Sequence, residues 1–102
     1  MTFLITAYDS KEPGTLERRM QIRPRHLENL AQLKQTGTIL CAGGIIGKEG
    51  HPIGSALIVD LADEEQVRQY LAKEPYVAGG VWKDVTVEAY NVVFQDNEMV
   101  GT

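Results

Sequence analysis

Two side chains carry the chemistry that this sequence could support, His26 and Glu74. Pro24 suits the first position of a helix, which puts His26 in that helix's third position. The positive end of the helix dipole disfavours imidazolium there, so the ring is expected to stay neutral. A neutral imidazole is what a general base or a hydrogen-bonding substrate anchor requires. The competing reading is a surface histidine, or a core histidine with its bonds satisfied. Glu74 follows a second helical stretch and precedes Pro75. There it would face the negative dipole end, which raises a carboxyl pKa slightly. It could orient the imidazole or share its proton, or be a solvated helix-end residue. Forty-eight positions separate the two, so only the fold can bring them together.

Other candidates are weaker. Arg23 and Arg25 flank Pro24, and either could hold a carboxylate or enol oxygen. Arg25 is read as surface charge. Gly43-Gly44 could let backbone N–H groups approach a ligand, or could mark a bulge. His51 lies beside Pro52 in a loop, has no acid or cysteine at metal-ligand spacing, and is read as solvent-exposed. No metal site is expected. Cys41, within a strand pattern, is read as core rather than nucleophile. Trp82 and Tyr76 are read as packing residues at a sheet edge or dimer rim. The phosphate-cradling, dinucleotide-binding and nucleophile-elbow motifs are missing from the sequence.

The elements that must position these residues follow from patterning. Phe3–Tyr8 reads as a strand ended by Asp9-Ser10. Helical spacing starts at Thr15, and Pro24 splits it into a short helix near 15–21 and a main helix near 24–36, stopped by Gly37. Thr38–Ile46 and Ile53–Leu61 read as strands joined by a hairpin loop over 48–52. Asp63 with Gln66 three residues on starts a helix whose buried stripe is Val67, Tyr70 and Leu71, and Pro75 ends it. After a glycine-containing connection over 76–81, Asp84–Phe94 alternates as a fourth strand. A loosely held tail covers 95–102.

The order βαββαβ is the ferredoxin-like arrangement, an α+β fold of one antiparallel sheet with both helices on one face. The domain is expected to span 1–94. Strands one and four, however, are apolar on both sides: Phe3, Ile5 and Ala7 against Leu4 and Tyr8, and Val85, Val87 and Val93 against Tyr90, Val92 and Phe94. A half-solvated sheet would show a polar alternate face. No spare element exists to cover the second face, which predicts a homodimer packed sheet against sheet.

Composition narrows the partners. The chain has 102 residues, is 43% hydrophobic, and carries a net charge of −4. That size supports one core, and the acidic balance argues against nucleic acid or an anionic membrane. One cysteine excludes an internal disulfide. No run approaches the roughly 20 apolar residues of a membrane span, and the N-terminus lacks signal-peptide character. The cytoplasm is the expected compartment.

Four segments then gain meaning together. Arg23-Pro24-Arg25-His26-Leu27, Ala42-Gly43-Gly44, Gly54-Ser55, and the run from Glu74-Pro75-Tyr76 to Val81 resemble the YciI-like (YCII domain) family over about residues 2–94. The resemblance implies a ferredoxin-like fold that dimerises into an α+β barrel. It also implies a cleft holding a histidine near the start of the first long helix and an acid before Pro-Tyr, here His26 and Glu74. The family's usual acid is aspartate, so Glu74 is a departure, and its extra methylene shifts the carboxylate by more than an ångström. Gly43-Gly44 likewise stands where the family often has Gly-Pro. Some relatives look like dehalogenases or isomerases acting on chlorinated muconate-like lactones. The resulting expectation is a cofactor-independent enzyme acting on a small organic acid. His26 moves a proton with Glu74 as partner, and Arg23, Gly43, Gly44 and Tyr76 form the substrate-binding set. The alternatives are a non-catalytic small-ligand-binding or stress-associated dimer, or a structural partner of another protein.

Overall fold

The computed structural model describes residues 1–101; Thr102, the last residue of the tail, lies outside them. Four strands form one antiparallel sheet: β1 (Thr2–Asp9), β2 (Ile39–Ile46), β3 (Pro52–Asp60) and β4 (Trp82–Ala89). Their order is β2-β3-β1-β4, the ferredoxin-like topology. Helices α1 (Thr15–Gln35) and α2 (Glu64–Lys73) supply the crossovers, with a single helical turn, α3 (Pro75–Ala78), before β4. Among the described residues no helix is long and apolar enough to cross a membrane.

Helix α1 runs unbroken through Pro24 instead of starting there. The buried residues Thr15, Arg19, Ile22 and His26 lie on one stripe that spans the proline. Packing of that stripe on the sheet holds both halves in line. Pro24 itself is exposed, so water can reach the Met20 carbonyl that loses its helical donor. His26 is therefore a mid-helix residue, and the dipole argument for its neutral form does not apply. The helix ends as expected at Gly37, which adopts φ +74°. Thr38 donates to the Leu33 carbonyl and Gly37 to that of Lys34, a Schellman closure.

Helix α2 begins at Asp63, whose side chain accepts from the Gln66 N–H. Val67 is fully buried, with Tyr70 and Leu71 packed beside it. β4 starts two residues earlier than expected and stops at Ala89 rather than running to Phe94. Its single neighbour, β1, begins at Thr2, so the ladder has no partner after Tyr90 donates to the Thr2 carbonyl. The tail instead folds on itself, β5 (Phe94–Gln95) against β6 (Glu98–Met99). Asp96 and Asn97 both take positive φ at the turn, the geometry of a tight two-residue hairpin.

The core lies between sheet and helices. Phe3, Ile5 and Ala7 of β1 and Leu57 and Val59 of β3 meet Ile22, Val67 and Tyr76 there. The other sheet face carries Leu4, Tyr8, Ala56, Ile58 and Cys41, placed in register across three strands. No helix covers it, and Tyr8 is 47% exposed. Cys41 is accordingly exposed rather than core, because it points to this uncovered face.

Candidate functional site

His26 and Glu74 meet. The Nδ1 atom of His26 lies 2.6 Å from Glu74 Oε1, and the Glu74 residue is fully buried. Helix α1 brings the imidazole and the α2–α3 junction brings the carboxylate. Glu74 ends α2 and caps α3, its Oε1 accepting the Tyr76 N–H at 3.1 Å. The carboxylate thus points at backbone donors of the next turn, not at the negative end of α2. Its Oε2 accepts the Tyr70 hydroxyl at 2.7 Å, with Asn29 Nδ2 at 3.5 Å. Every lone-pair direction of the carboxylate has a donor.

These contacts reverse the sequence-based expectation for Glu74. Burial alone pushes its pKa up. The hydrogen bonds from His26 and Tyr70, the charge on His26 and the Tyr76 N–H outweigh that, and the carboxyl is held below its ordinary value. An ionised Glu74 takes a proton-bearing Nδ1, so a ring with no second proton presents its lone pair at Nε2. Tyr70 stays a donor: burial first, then the Glu74 charge and their hydrogen bond, push its phenol far above the ordinary range.

The imidazole ring is fixed on two sides. It stacks on Tyr76 at 4.0 Å between centroids and meets the edge of Trp82 at 5.8 Å. Both aromatic residues are core, 1% and 5% exposed, rather than at a sheet edge or rim. Beneath them lies an ion pair that patterning did not single out. Arg19 Nη1 donates to both Asp9 oxygens at 2.8 and 3.0 Å. Its Nη2 donates to the Gly54 carbonyl at 3.0 Å and to Ser55 Oγ at 2.8 Å. Trp82 Nε1 also donates to Ser55 Oγ, and the guanidinium carbon sits 4.7 Å from the Tyr76 ring centre. Burial raises the Asp9 pKa by more than Arg19 lowers it through charge and hydrogen bonding. A charged residue on the stripe that holds Ile22 and His26 was the available signal for Arg19. The i, i+4 spacing of Tyr70 and Glu74 was the signal for the hydroxyl.

Above this floor is a cleft of about 290 Å³ lined by Arg23, His26, Gly43, Gly44 and Tyr76, among others. Glu74 stands behind His26 and does not line it. Neither His26 Nε2 nor Tyr76 Oη has a hydrogen-bond partner among the described residues, and neither is sealed from solvent. Burial is the main cause of a raised Tyr76 phenol pKa, opposed by the charges of Arg19 and Arg23, so the hydroxyl remains a donor. Arg23 is exposed and has no ion-pair partner among the described residues. The cleft therefore presents one base, one phenol and one free cation, a set suited to a small anion. Gly44 faces Arg19 with ordinary contact distance to spare, while Gly43 has open space beside it. Arg25 is exposed and lies outside the cleft.

His51 is half-buried rather than exposed. Its Nδ1 is buried without a partner, while Nε2 sits 3.5 Å from Glu49. Among the described residues no cluster of histidine, cysteine and carboxylates has the makings of a metal site.

Known proteins resemble this chain in sequence and fold. The 5-chloro-2-hydroxyhydroquinone dehydrochlorinase of Burkholderia phenoliruptrix AC1100, solved with 2,5-dihydroxybenzoquinone, is similar over 89% of this chain and 94% of its own. Its TM-score is 0.79 at 27% identity. An antibiotic biosynthesis monooxygenase shares the fold at TM-score 0.53 and 16% identity, covering 91% of this chain and 99% of its own. An uncharacterized protein of Haemophilus influenzae is 33% identical, over 92% of this chain and all of its own. Protein YciI of Escherichia coli is 31% identical with the same coverage. Residues 1–91 match the YCII-related domain, and the chain belongs to that family.

Proposed function

We propose that the cleft moves a proton on a small organic acid without a cofactor, in a reaction of the isomerase, dehalogenase or lyase type. His26 is the base and Glu74 its positioning partner. The observation that carries this reading is the 2.6 Å contact at Nδ1, which leaves Nε2 free to act in the cleft. In the proposed step, Nε2 takes a proton from a carbon next to a carbonyl. The C–H electron pair moves into an enolate, whose oxygen is held by Arg23 and the Tyr76 hydroxyl, with Gly43 and Gly44 keeping the opposite wall low. Return of the proton to another carbon gives isomerisation, and loss of a β-halide as its anion gives elimination. The similar dehydrochlorinase was solved with a hydroxyquinone. Such a compound is a planar acid of the class a free arginine and a phenol would hold.

Deuterium exchange tests the proposal. In D₂O, 2,5-dihydroxybenzoquinone, and small keto- and hydroxy-acids beside it, are followed by proton NMR with and without protein. Exchange at an acidic C–H is expected to accelerate well beyond the buffer rate for at least one compound. Buffer-rate exchange for all of them overturns the reading.

The assembly belongs to the same proposal. A second copy covers the sheet face bearing Leu4, Tyr8, Ala56 and Ile58, since strand patterning makes that face apolar while no element of this chain covers it. Sedimentation is expected to give a dimer for the wild type and a monomer for Ile58→Glu, which places a charge at the centre of the buried face. A monomeric wild type contradicts it. The proposed compartment is the cytoplasm, in keeping with a lone, reduced cysteine.

A further inference from the structure

Leu27, Leu30 and Ala42 form one wall of the cleft. The same three residues also line a second hollow of about 530 Å³, which runs on between α1 and β2 past Ala31, Ile39 and Leu40. A bulge between Ile39 and Cys41 makes this groove. Strict alternation from Ala42 would turn Ile39 to the opposite sheet face. The extra residue instead lets Ile39 pair with Val59 and face the helix side, as Ala42 does opposite Leu57. The result is a groove adjoining the cleft, with Leu27, Leu30, Ile39 and Ala42 along its near side, where Leu27 is 42% exposed. Polar groups close its far end: Lys34 from α1 and the Gln95–Asp96 turn of the tail hairpin.

We infer that this groove binds the apolar arm of the cleft's own ligand. The site then takes an amphipathic acid whose anionic head lies at Arg23, Tyr76 and His26. Its alkyl or aryl chain runs along Leu27 and Leu30 toward Lys34. The inference rests on reading the cleft as an acid-binding site, and the adjacency of the two hollows at three shared residues selects this occupant over a separate partner. Helical rise sets the groove's length from Leu27 to Lys34 at roughly 10 Å, so the arm has a limit.

Straight-chain carboxylates from butanoate to decanoate, titrated calorimetrically into the full chain, test it. Each added methylene is expected to tighten binding about two- to fourfold, with the gain ending once the chain reaches Lys34. Ala31→Trp fills the groove from an exposed helix position outside the cleft. It is expected to flatten the series while leaving butanoate binding unchanged, which also reports an intact fold. A flat series in the wild type, or a gradient that survives Ala31→Trp, overturns the inference. The two readings separate cleanly. A steep gradient with no deuterium exchange removes proton transfer and leaves the groove, whereas exchange with a flat series removes the groove alone.

Discussion

Replacing His26 with glutamine is expected to lower kcat by about 10²- to 10⁴-fold, the usual contribution of a positioned general base. Glutamine keeps the length to reach Glu74 and fills part of the space over Tyr76. It cannot take a proton from carbon and hand it back. KM is expected to change little, because Arg23 and the Tyr76 hydroxyl, the groups proposed to meet the anion, still line the cleft. Arg23→Gln should show the opposite division, raising KM more than it lowers kcat. Steady-state kinetics on whichever compound exchanges deuterium would separate the two, with circular dichroism and urea unfolding confirming that both variants fold. A His26→Gln protein within tenfold of wild-type kcat would falsify the base assignment.

Much of the fold is legible in the sequence. The order of elements, the Gly37 stop, the Asp63 cap and the two-faced strands all came from local periodicity and turn chemistry, which act over a few residues. His26 and Glu74 were nameable as candidates, and the fold supplies the 2.6 Å contact between them. What patterning missed depends on tertiary packing. Pro24 read as a helix start because local rules disfavour an interior proline, yet the stripe Arg19–Ile22–His26 anchors both halves of α1 to the sheet. Arg19 is not singled out by patterning because its partners, Asp9, Gly54 and Ser55, lie on two different strands. Cys41 and His51 were misplaced for a related reason. A strand residue's burial depends on what covers its face, and a loop residue's on how the loop folds back. The length of Glu74, one methylene more than the aspartate that the resemblance implies, also takes on a physical sense. The carboxylate starts from the turn between α2 and α3 and reaches Nδ1, Tyr70 and the Tyr76 N–H together. Shortening it would draw it back from His26.

Glu74 should also govern how the protein responds to acid. Its carboxyl pKa is held below the ordinary 4.5, as three donors and the His26 charge outweigh burial. A depressed acid contributes stability that is present above its unfolded value and is lost as pH falls through the folded one. Glu74→Gln keeps the shape. An amide oxygen can still accept from His26 and Tyr76 while the amide nitrogen donates to the Tyr70 oxygen, but the charge is gone. At neutral pH the variant is expected to be less stable by about 1.5–3 kcal/mol, the range for hydrogen bonds to a charged group. That gap should narrow once the pH drops below 4.5, because protonated wild type loses the same charge. The difference between the two proteins is the quantity to read, because Asp9 works against Glu74. Its raised pKa makes protonation favour the fold, so its contribution is present below the ordinary 3.8 and fades as pH climbs through the folded value. The acid limb of the wild type alone is therefore blunted, while subtraction of the Glu74→Gln curve cancels Asp9. Urea unfolding of both proteins from pH 7 down to pH 3 gives the two curves. A gap that stays constant across that range would mean that the charge on Glu74 adds nothing to stability, and the Nδ1 contact would then have to be held by shape alone.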